Sequence, residues 1–298
     1  MLIISLGDSR LMAYPLMEHL TGNGFLYCGK YYRVSSELTL SLQKPVDIKT
    51  YYETIRVKDG VLLFVEDHLA RLVKSVKGLE NFEVDTGKIL AESYSLIDLD
   101  HIKEGSIRIV LTKESLLIHQ ADITIPGREL FEQGINTSIF NWERKTPNLK
   151  IFRGDYKTSV NEKFKEENAH GLPFELVLTD DEGRLYEGSM SNLFVIRDGE
   201  VFSAPDDKIL IGITRKRVME ALKRSGLELK TGMFRPEELD PAKDALFVSS
   251  TPFDILPIRY IDDYEFSSSG NEVLKMISGM YQEYTSDYIA DAKRALNG

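Results

Sequence analysis

The turns in this chain constrain its fold more than any other feature. Lys58-Asp59-Gly60 separates Thr54-Ile55-Arg56-Val57 from Val61-Leu62-Leu63-Phe64. Asp181-Glu182-Gly183 precedes a run that opens at Arg184, and Asp198-Gly199 separates that run from residues 200–203. Asp-Gly pairs supply the positive-φ positions of a tight hairpin, and the short apolar segments beside them supply its strands. Hairpins make antiparallel neighbours, so the pattern favours antiparallel pairing.

Helical periods alternate with these strands. Leu69, Leu72, Val73, Val76 and Leu79 recur at three- and four-residue steps and predict a helix with one apolar face. Glu66 and Asp67 suit its first turn and Lys74 and Lys77 its later turns, the charge order that a helix dipole favours. A second helix is predicted over about 87–96, followed by strands at 106–112 and 115–118. Pro126-Gly127-Arg128 then breaks the pattern. Beyond it the sequence predicts a strand at 136–141, a helix at 159–168 ended by His170-Gly171, and strands at 174–179, 184–194 and 200–203. A helix from Thr214 and buried strands at 245–248 and 255–261 follow. The last 28 or so residues read as an amphipathic helix, apolar at Leu274, Ile277, Met280, Tyr281 and Tyr284. The expected class is α/β in the broad sense, α+β or mixed, in two domains: 1–125, a link at 126–134, and 135–298. A length of 298 residues agrees with two domains of roughly 150 residues each.

Composition narrows the function. A formal net charge of −10 argues against nucleic acid or an anionic membrane as the main partner, since either needs a basic face. Cys28 is the only cysteine, which rules out an intramolecular disulfide and a multi-cysteine zinc site. No helix start or His neighbour marks it, so it is expected to be buried or idle. No metal is expected. Met1-Leu2-Ile3-Ile4-Ser5-Leu6 lacks the basic region and apolar length of a signal peptide, and no apolar run approaches the roughly 20 residues of a membrane span. The expected location is cytoplasmic.

Two short segments carry the chemistry. Glu187-Gly188-Ser189-Met190-Ser191-Asn192-Leu193-Phe194 puts a carboxylate and small polar residues before an apolar strand. Leu210-Ile211-Gly212-Ile213-Thr214-Arg215 is a glycine turn that opens a helix. Gly212 lets the backbone approach a ligand, Thr214 can cap the helix and offer a hydroxyl, and free amides at a helix start bind phosphate. A carboxylate such as Glu187 favours the protonated form of a pyridine nitrogen beside it. Together they suit a basic ring and a phosphate, the two ends of pyridoxal 5'-phosphate. Lys157, just ahead of the predicted helix, is one of many amines able to form a Schiff base with an aldehyde cofactor. Each piece alone also reads as an ordinary capped helix, a solvated strand-end glutamate or a surface lysine.

In these segments the chain resembles the class IV aminotransferases. These fold-type IV pyridoxal phosphate enzymes include branched-chain aminotransferases, D-amino acid aminotransferases and aminodeoxychorismate lyases. Tyr52-Glu53-Thr54-Ile55-Arg56 and His68-Leu69-Ala70-Arg71-Leu72 carry the resemblance in the first half. Lys157, Glu187 to Phe194, Gly212 to Arg215, Ser249-Ser250-Thr251 and Pro257-Ile258 carry it in the second. The resemblance implies the two-domain fold of that family and pyridoxal 5'-phosphate as cofactor. It implies that Lys157 holds the cofactor covalently and moves the proton at the substrate α-carbon, while Glu187 pairs with the pyridine nitrogen. Arg71, the backbone amide of Ile213, Thr214 and Thr251 would hold the phosphate. Gly212, Ser191, Asn192 and Ser250 would complete the cofactor site, and Tyr52 and Arg108 would face the substrate. The implied activity is amino transfer between an amino acid, branched-chain ones included, and a 2-oxo acid, in a homodimer. The alternative is 4-amino-4-deoxychorismate lyase, which residues 108–112 resemble somewhat, while residues 188–191 and 212–215 look more like the transaminases.

The chain departs from that pattern where substrate would lie. Glu162 stands where a tyrosine usually follows Asn161, and Ser106-Ile107-Arg108-Ile109 lacks the tyrosine and proline of the branched-chain enzymes. His119 does not fit the spacing of the D-amino acid enzymes and reads as a surface strand residue. Arg71 falls off the apolar stripe of its helix, which is expected to leave its guanidinium free.

Overall fold

The computed structural model describes residues 13–19, 21–80, 82–122, 125–144 and 146–297. The N-terminal Met1–Leu6 stretch therefore lies outside the described residues. The first part of the chain runs through β1 (Tyr14–Pro15), β2 (Gly24–Tyr27), β3 (Lys30–Arg33), α1 (Glu37–Leu42), β4 (Pro45–Val46), β5 (Tyr51–Lys58), β6 (Val61–Leu62), α2 (Val65–Lys77), α3 (Thr86–Asp100), β7 (Glu104–Leu111) and β8 (Leu116–Gln120). Six of these strands form an antiparallel sheet in the order β3-β2-β8-β7-β5-β6, and β1 pairs with β4 apart from it. The β5–β6 turn uses Asp59 at φ 54° and Gly60 at φ 77°, the positive-φ pair that its sequence predicts. Leu69, Leu72 and Val76 of α2 pack with Ile55, Ile107 and Ile118 of the sheet. Two expectations need correction here. Phe64 is not a strand residue but the left-handed residue just ahead of α2, and Leu79 lies exposed beyond the helix, which ends at Lys77 with Gly78 as its C-cap.

Residues 126–134, expected as a link, contain the short helix α4 (Arg128–Gln133). The second part follows as β9 (Ile135–Asn141), α5 (Gly154–Lys163), β10 (Glu175–Thr179), β11 (Leu185–Gly188), β12 (Asn192–Arg197), β13 (Glu200–Ser203), α6 (Ile213–Arg224), β14 (Leu229–Thr231), β15 (Ala245–Ser250), β16 (Asp254–Ile261), β17 (Tyr264–Glu265) and α7 (Glu272–Asn297). These strands form one nine-stranded sheet with the path β11-β10-β9-β16-β15-β12-β13-β14, β17 lying beside β16. Strand β11 also meets β12 through Glu187 and Asn192, so six strands close into a ring. Pairing is not antiparallel throughout: β9 runs parallel to both β10 and β16, and β13 runs parallel to β14. The predicted strand 184–194 is two strands broken at 189–191. The predicted helix 159–168 is α5, which starts five residues earlier, so Lys157 lies within its first turn rather than ahead of it.

The two parts share a core. Val61, Leu63 and Phe64 join Phe194, Val218, Phe247 and Leu274, Ile277 and Tyr281 of α7 in one apolar cluster. Polar contacts cross at the same place: Arg56 Nη1 donates to the Pro252 carbonyl at 2.6 Å, and Lys216 pairs with Asp67 at 2.8 Å. Among the described residues no helix is long and apolar enough to cross a membrane, and no cluster of three or more His, Cys, Asp or Glu side chains is placed to hold a metal ion.

Candidate active site

A cavity of about 530 Å³, within the usual size range for small-molecule sites, is walled by residues of both sheets. All the residues expected from the sequence to hold cofactor or substrate line it: Tyr52, Arg71 and Arg108 from the first part, Lys157 from α5, Glu187, Ser191 and Asn192 from the β11–β12 joint, Gly212, Ile213 and Thr214 from the start of α6, and Ser250 and Thr251 from the end of β15.

Arg71 is not free. Its Nε and Nη2 each donate at 2.7 Å to the two oxygens of Glu53, and His68 Nδ1 lies 2.7 Å from the same carboxylate. The bidentate clamp fixes the guanidinium plane, and Nη1 donates at 3.1 Å to the Ile211 carbonyl in the loop before α6. Glu53 is fully buried, and burial alone would favour its neutral form; Arg71 and His68 overcome this and hold its pKa down at about 2. Gly212, in extended conformation, occupies the N-cap of α6 without a side-chain cap bond. Thr214 thus sits buried inside the first turn rather than capping it. A Cβ at Gly212 would stand 2.1 Å from Asn192 Oδ1, so only glycine lets this loop lie so close.

Glu187 is in the opposite condition. It is 1% exposed, and burial pushes its carboxyl up to about 7 against the opposing effects of Arg144 and the Leu210 amide. Oε2 accepts from Leu210 N–H at 3.2 Å. Arg144 Nε stands 2.9 Å from Oε1, yet its N–H is not directed at that oxygen, and both atoms lack a hydrogen bond. Arg144 instead donates through Nη2 to the Ser189 carbonyl at 3.0 Å and the Tyr156 hydroxyl at 3.2 Å. A buried carboxylate with one unsatisfied oxygen on the cavity wall fits a ligand N–H such as a pyridinium.

Several predicted residues are engaged within the protein. Ser191 Oγ donates to Glu175 at 2.8 Å, Asn192 Nδ2 to the Leu210 carbonyl at 2.8 Å, and Ser250 Oγ to the Met190 carbonyl at 2.7 Å. Glu175, buried and missed by sequence reasoning, also accepts from Ser189 N–H and Oγ, from Met190 N–H and from its neighbour Leu176 N–H, which sets the 189–191 turn. Lys157 Nζ lies 3.4 Å from Glu18, whose other oxygen accepts from Arg108 at 3.0 Å. Lys150 lies 4.6 Å from the Tyr52 ring centroid, its amine pushed down to about 7 by burial and then by Arg71. Glu18, Arg144 and Lys150 had no signal in the sequence, since each stands alone in an irregular stretch.

Three residues outside the cavity lie as follows, and of these the surface reading of His119 and the burial expected of Cys28 are corrected. His119 is buried, not a surface residue: Nδ1–H donates to the Gln120 carbonyl at 2.9 Å, and burial and then Arg108 press the ring down to about 4. Cys28 is exposed in the β2–β3 turn. Glu162 points to solvent and pairs with Lys165 at 2.8 Å, away from any ring.

Comparison with known proteins agrees with this architecture. The amino-transferase class IV family model matches residues 50–261. The chain is 26% identical over 257 residues to the aminodeoxychorismate lyase of Bacillus subtilis, covering 80% of this chain and 86% of that protein. It is 24% identical over 235 residues to the D-alanine aminotransferase of Bacillus licheniformis, covering 73% and 80%. Its fold matches the T.th. branched-chain amino acid aminotransferase, solved with pyridoxamine 5'-phosphate, at a TM-score of 0.75 and 19% identity over 91% of this chain and 96% of that one. The chain therefore belongs to the class IV aminotransferases, a family of pyridoxal phosphate enzymes.

Proposed function

We propose that the protein is an aminotransferase that moves an amino group between an amino acid and a 2-oxo acid. The observation that carries this reading is the convergence on one cavity of the Lys157 amine, the unsatisfied oxygen of Glu187 and the glycine-capped start of α6. Bound there, pyridoxal phosphate supplies an electron sink for chemistry at the substrate α-carbon. Glu187 receives the ring N–H. Arg71, already oriented by Glu53, joins the Ile213 amide, Thr214 and Thr251 around the phosphate. Lys157 would hold the cofactor covalently and, once the substrate amine has displaced it, its freed Nζ would take and return the α-proton. Tyr52 and Phe152, stacked at 4.2 Å, give the substrate an apolar wall that suits branched-chain side chains. A homodimer in the cytoplasm belongs to the same proposal.

Similarity to the Bacillus subtilis lyase over most of the chain supports a second reading, 4-amino-4-deoxychorismate lyase. A panel of L- and D-amino acids with 2-oxo acid acceptors, run beside an assay for pyruvate from aminodeoxychorismate, separates the two. Amino transfer is the expected result, and pyruvate release without it would select the lyase. Lys157→Ala is expected to lose the adduct that borohydride fixes after incubation with pyridoxal phosphate. An undiminished adduct would move the reactive amine elsewhere, Lys150 first.

A further inference from the structure

Among the described residues, six arginine and lysine side chains line the cavity, and five are paired with a carboxylate: Arg71 with Glu53, Arg108 and Lys157 with Glu18, Arg144 with Glu187, and Arg153 with Asp155. Lys150 is the exception. Its amine makes neither an ion pair nor a hydrogen bond with any described residue, and stands 4.6 Å from the Tyr52 ring centroid. Its backbone is fixed. Lys150 N–H donates to Ser75 Oγ of α2 at 3.2 Å, Ile151 bridges to Tyr51 of β5, and Phe152 N–H donates to the Thr50 carbonyl at 3.0 Å. Burial, and Arg71 after it, work against the charged amine, while Glu53, which favours it, is already bonded to Arg71 and His68. An oxyanion placed beside a cation in that condition stabilises it.

We propose that Lys150 binds an oxyanion of the ligand held in this cavity, the cofactor phosphate or a second carboxylate of the substrate. The inference rests on the proposed binding of pyridoxal phosphate and of an amino or oxo acid here. Both sources bring the same chemistry, an anionic oxygen that accepts a charge-assisted hydrogen bond. The other five cations each share their charge with a carboxylate of the chain. Lys150 is the one whose charge is left whole for a ligand. The face of the Tyr52 ring is a weaker partner for its amine than a phosphate or carboxylate oxygen.

The test titrates two matched pairs by calorimetry, the members of each differing in one oxyanion. Pyridoxal phosphate and pyridoxal go into the cofactor-free protein, and glutarate and its monoamide glutaramate into the cofactor-loaded protein. Lys150→Gln is expected to lower the advantage of the anionic member of one pair about tenfold, as loss of a hydrogen bond to a charged group implies. Lys150→Arg should retain most of that advantage, and a thermal melt shows that each variant folds. A fall confined to the first pair assigns the phosphate, and one confined to the second assigns the substrate carboxylate. Ratios that Lys150→Gln leaves unchanged in both pairs would overturn the proposal. So would an equal fall in both, since one amine serves one oxyanion, or no binding of any probe. The borohydride adduct at Lys157 is scored separately, so failure of the cofactor reading is distinguishable from failure of the Lys150 assignment.

Discussion

Two buried carboxylates, each beside an arginine, face opposite ways in energy. Glu53 in β5 has both oxygens satisfied by Arg71 and His68 and is held at a pKa of about 2. Glu187 near the end of β11 is buried to the same degree, but its arginine is misdirected and its pKa is pushed up to about 7. Burial is common to both; donor geometry decides which form survives. The first carboxylate completes a support for Arg71. The second is left short of a partner on a cavity wall, the condition of a group that awaits a ligand.

The contrast can be broken at either end. Glu53→Gln is expected to have the largest effect, a loss of about 3–5 kcal/mol in denaturant unfolding at pH 7, because it leaves the Arg71 guanidinium without its counter-charge and breaks the bidentate clamp. A loss under about 1 kcal/mol would mean that the clamp is incidental. For Glu187 the effect appears as a pH slope. Its raised pKa means that the cofactor-free folded chain binds a proton more tightly than the unfolded chain, so stability is full below about 4.5 and falls as pH rises through about 7. Glu187→Gln should remove that slope, gaining about 3 kcal/mol on wild type between those two pH values. Parallel stability curves for the two proteins would contradict it. Glu53, with its lowered pKa, contributes in the reverse sense: its stabilisation is present above about 4.5 and is lost as pH falls through about 2. The smallest test lies in the loop that touches both systems, where Ile211 accepts from Arg71 and Leu210 donates to Glu187. Gly212→Ala should cost about 1–3 kcal/mol, since Asn192 is buried and tied to Leu210 and must shift to make room. A melt within a degree of wild type would show that the asparagine yields freely.

What the sequence made legible follows from locality. The Asp59-Gly60 turn was readable because the need for positive φ is met by two adjacent residues, and the α2 face because its apolar period lies within one helix. The start of α5 differs from the predicted one because Arg153 caps it without a side-chain bond, so no Ser, Thr, Asp or Asn marks its N-cap. His119 was misread because the neighbours that bury it come from other strands. Glu18 meets Arg108 across 90 residues, and Arg144 meets Glu187 across the α5 connection. Nothing in local spacing announces such pairs.

The joint between β11 and β12 also bears on how a chain of this kind can diverge. Glu175 gathers its donors from residues 176 and 189–191, and a Cβ on Gly188 would fall 2.0 Å from Ser191 Oγ. Glu175, Gly188, Ser189 and Ser191 are interlocked, so a change of side chain at one of them disturbs the others. The 13–19 segment is tied down through β1 and reaches the cavity through Glu18 and His19. New substrate preferences are therefore cheapest to write in the segment that lies outside the interlocked turn, leaving the chemistry beneath them unaltered.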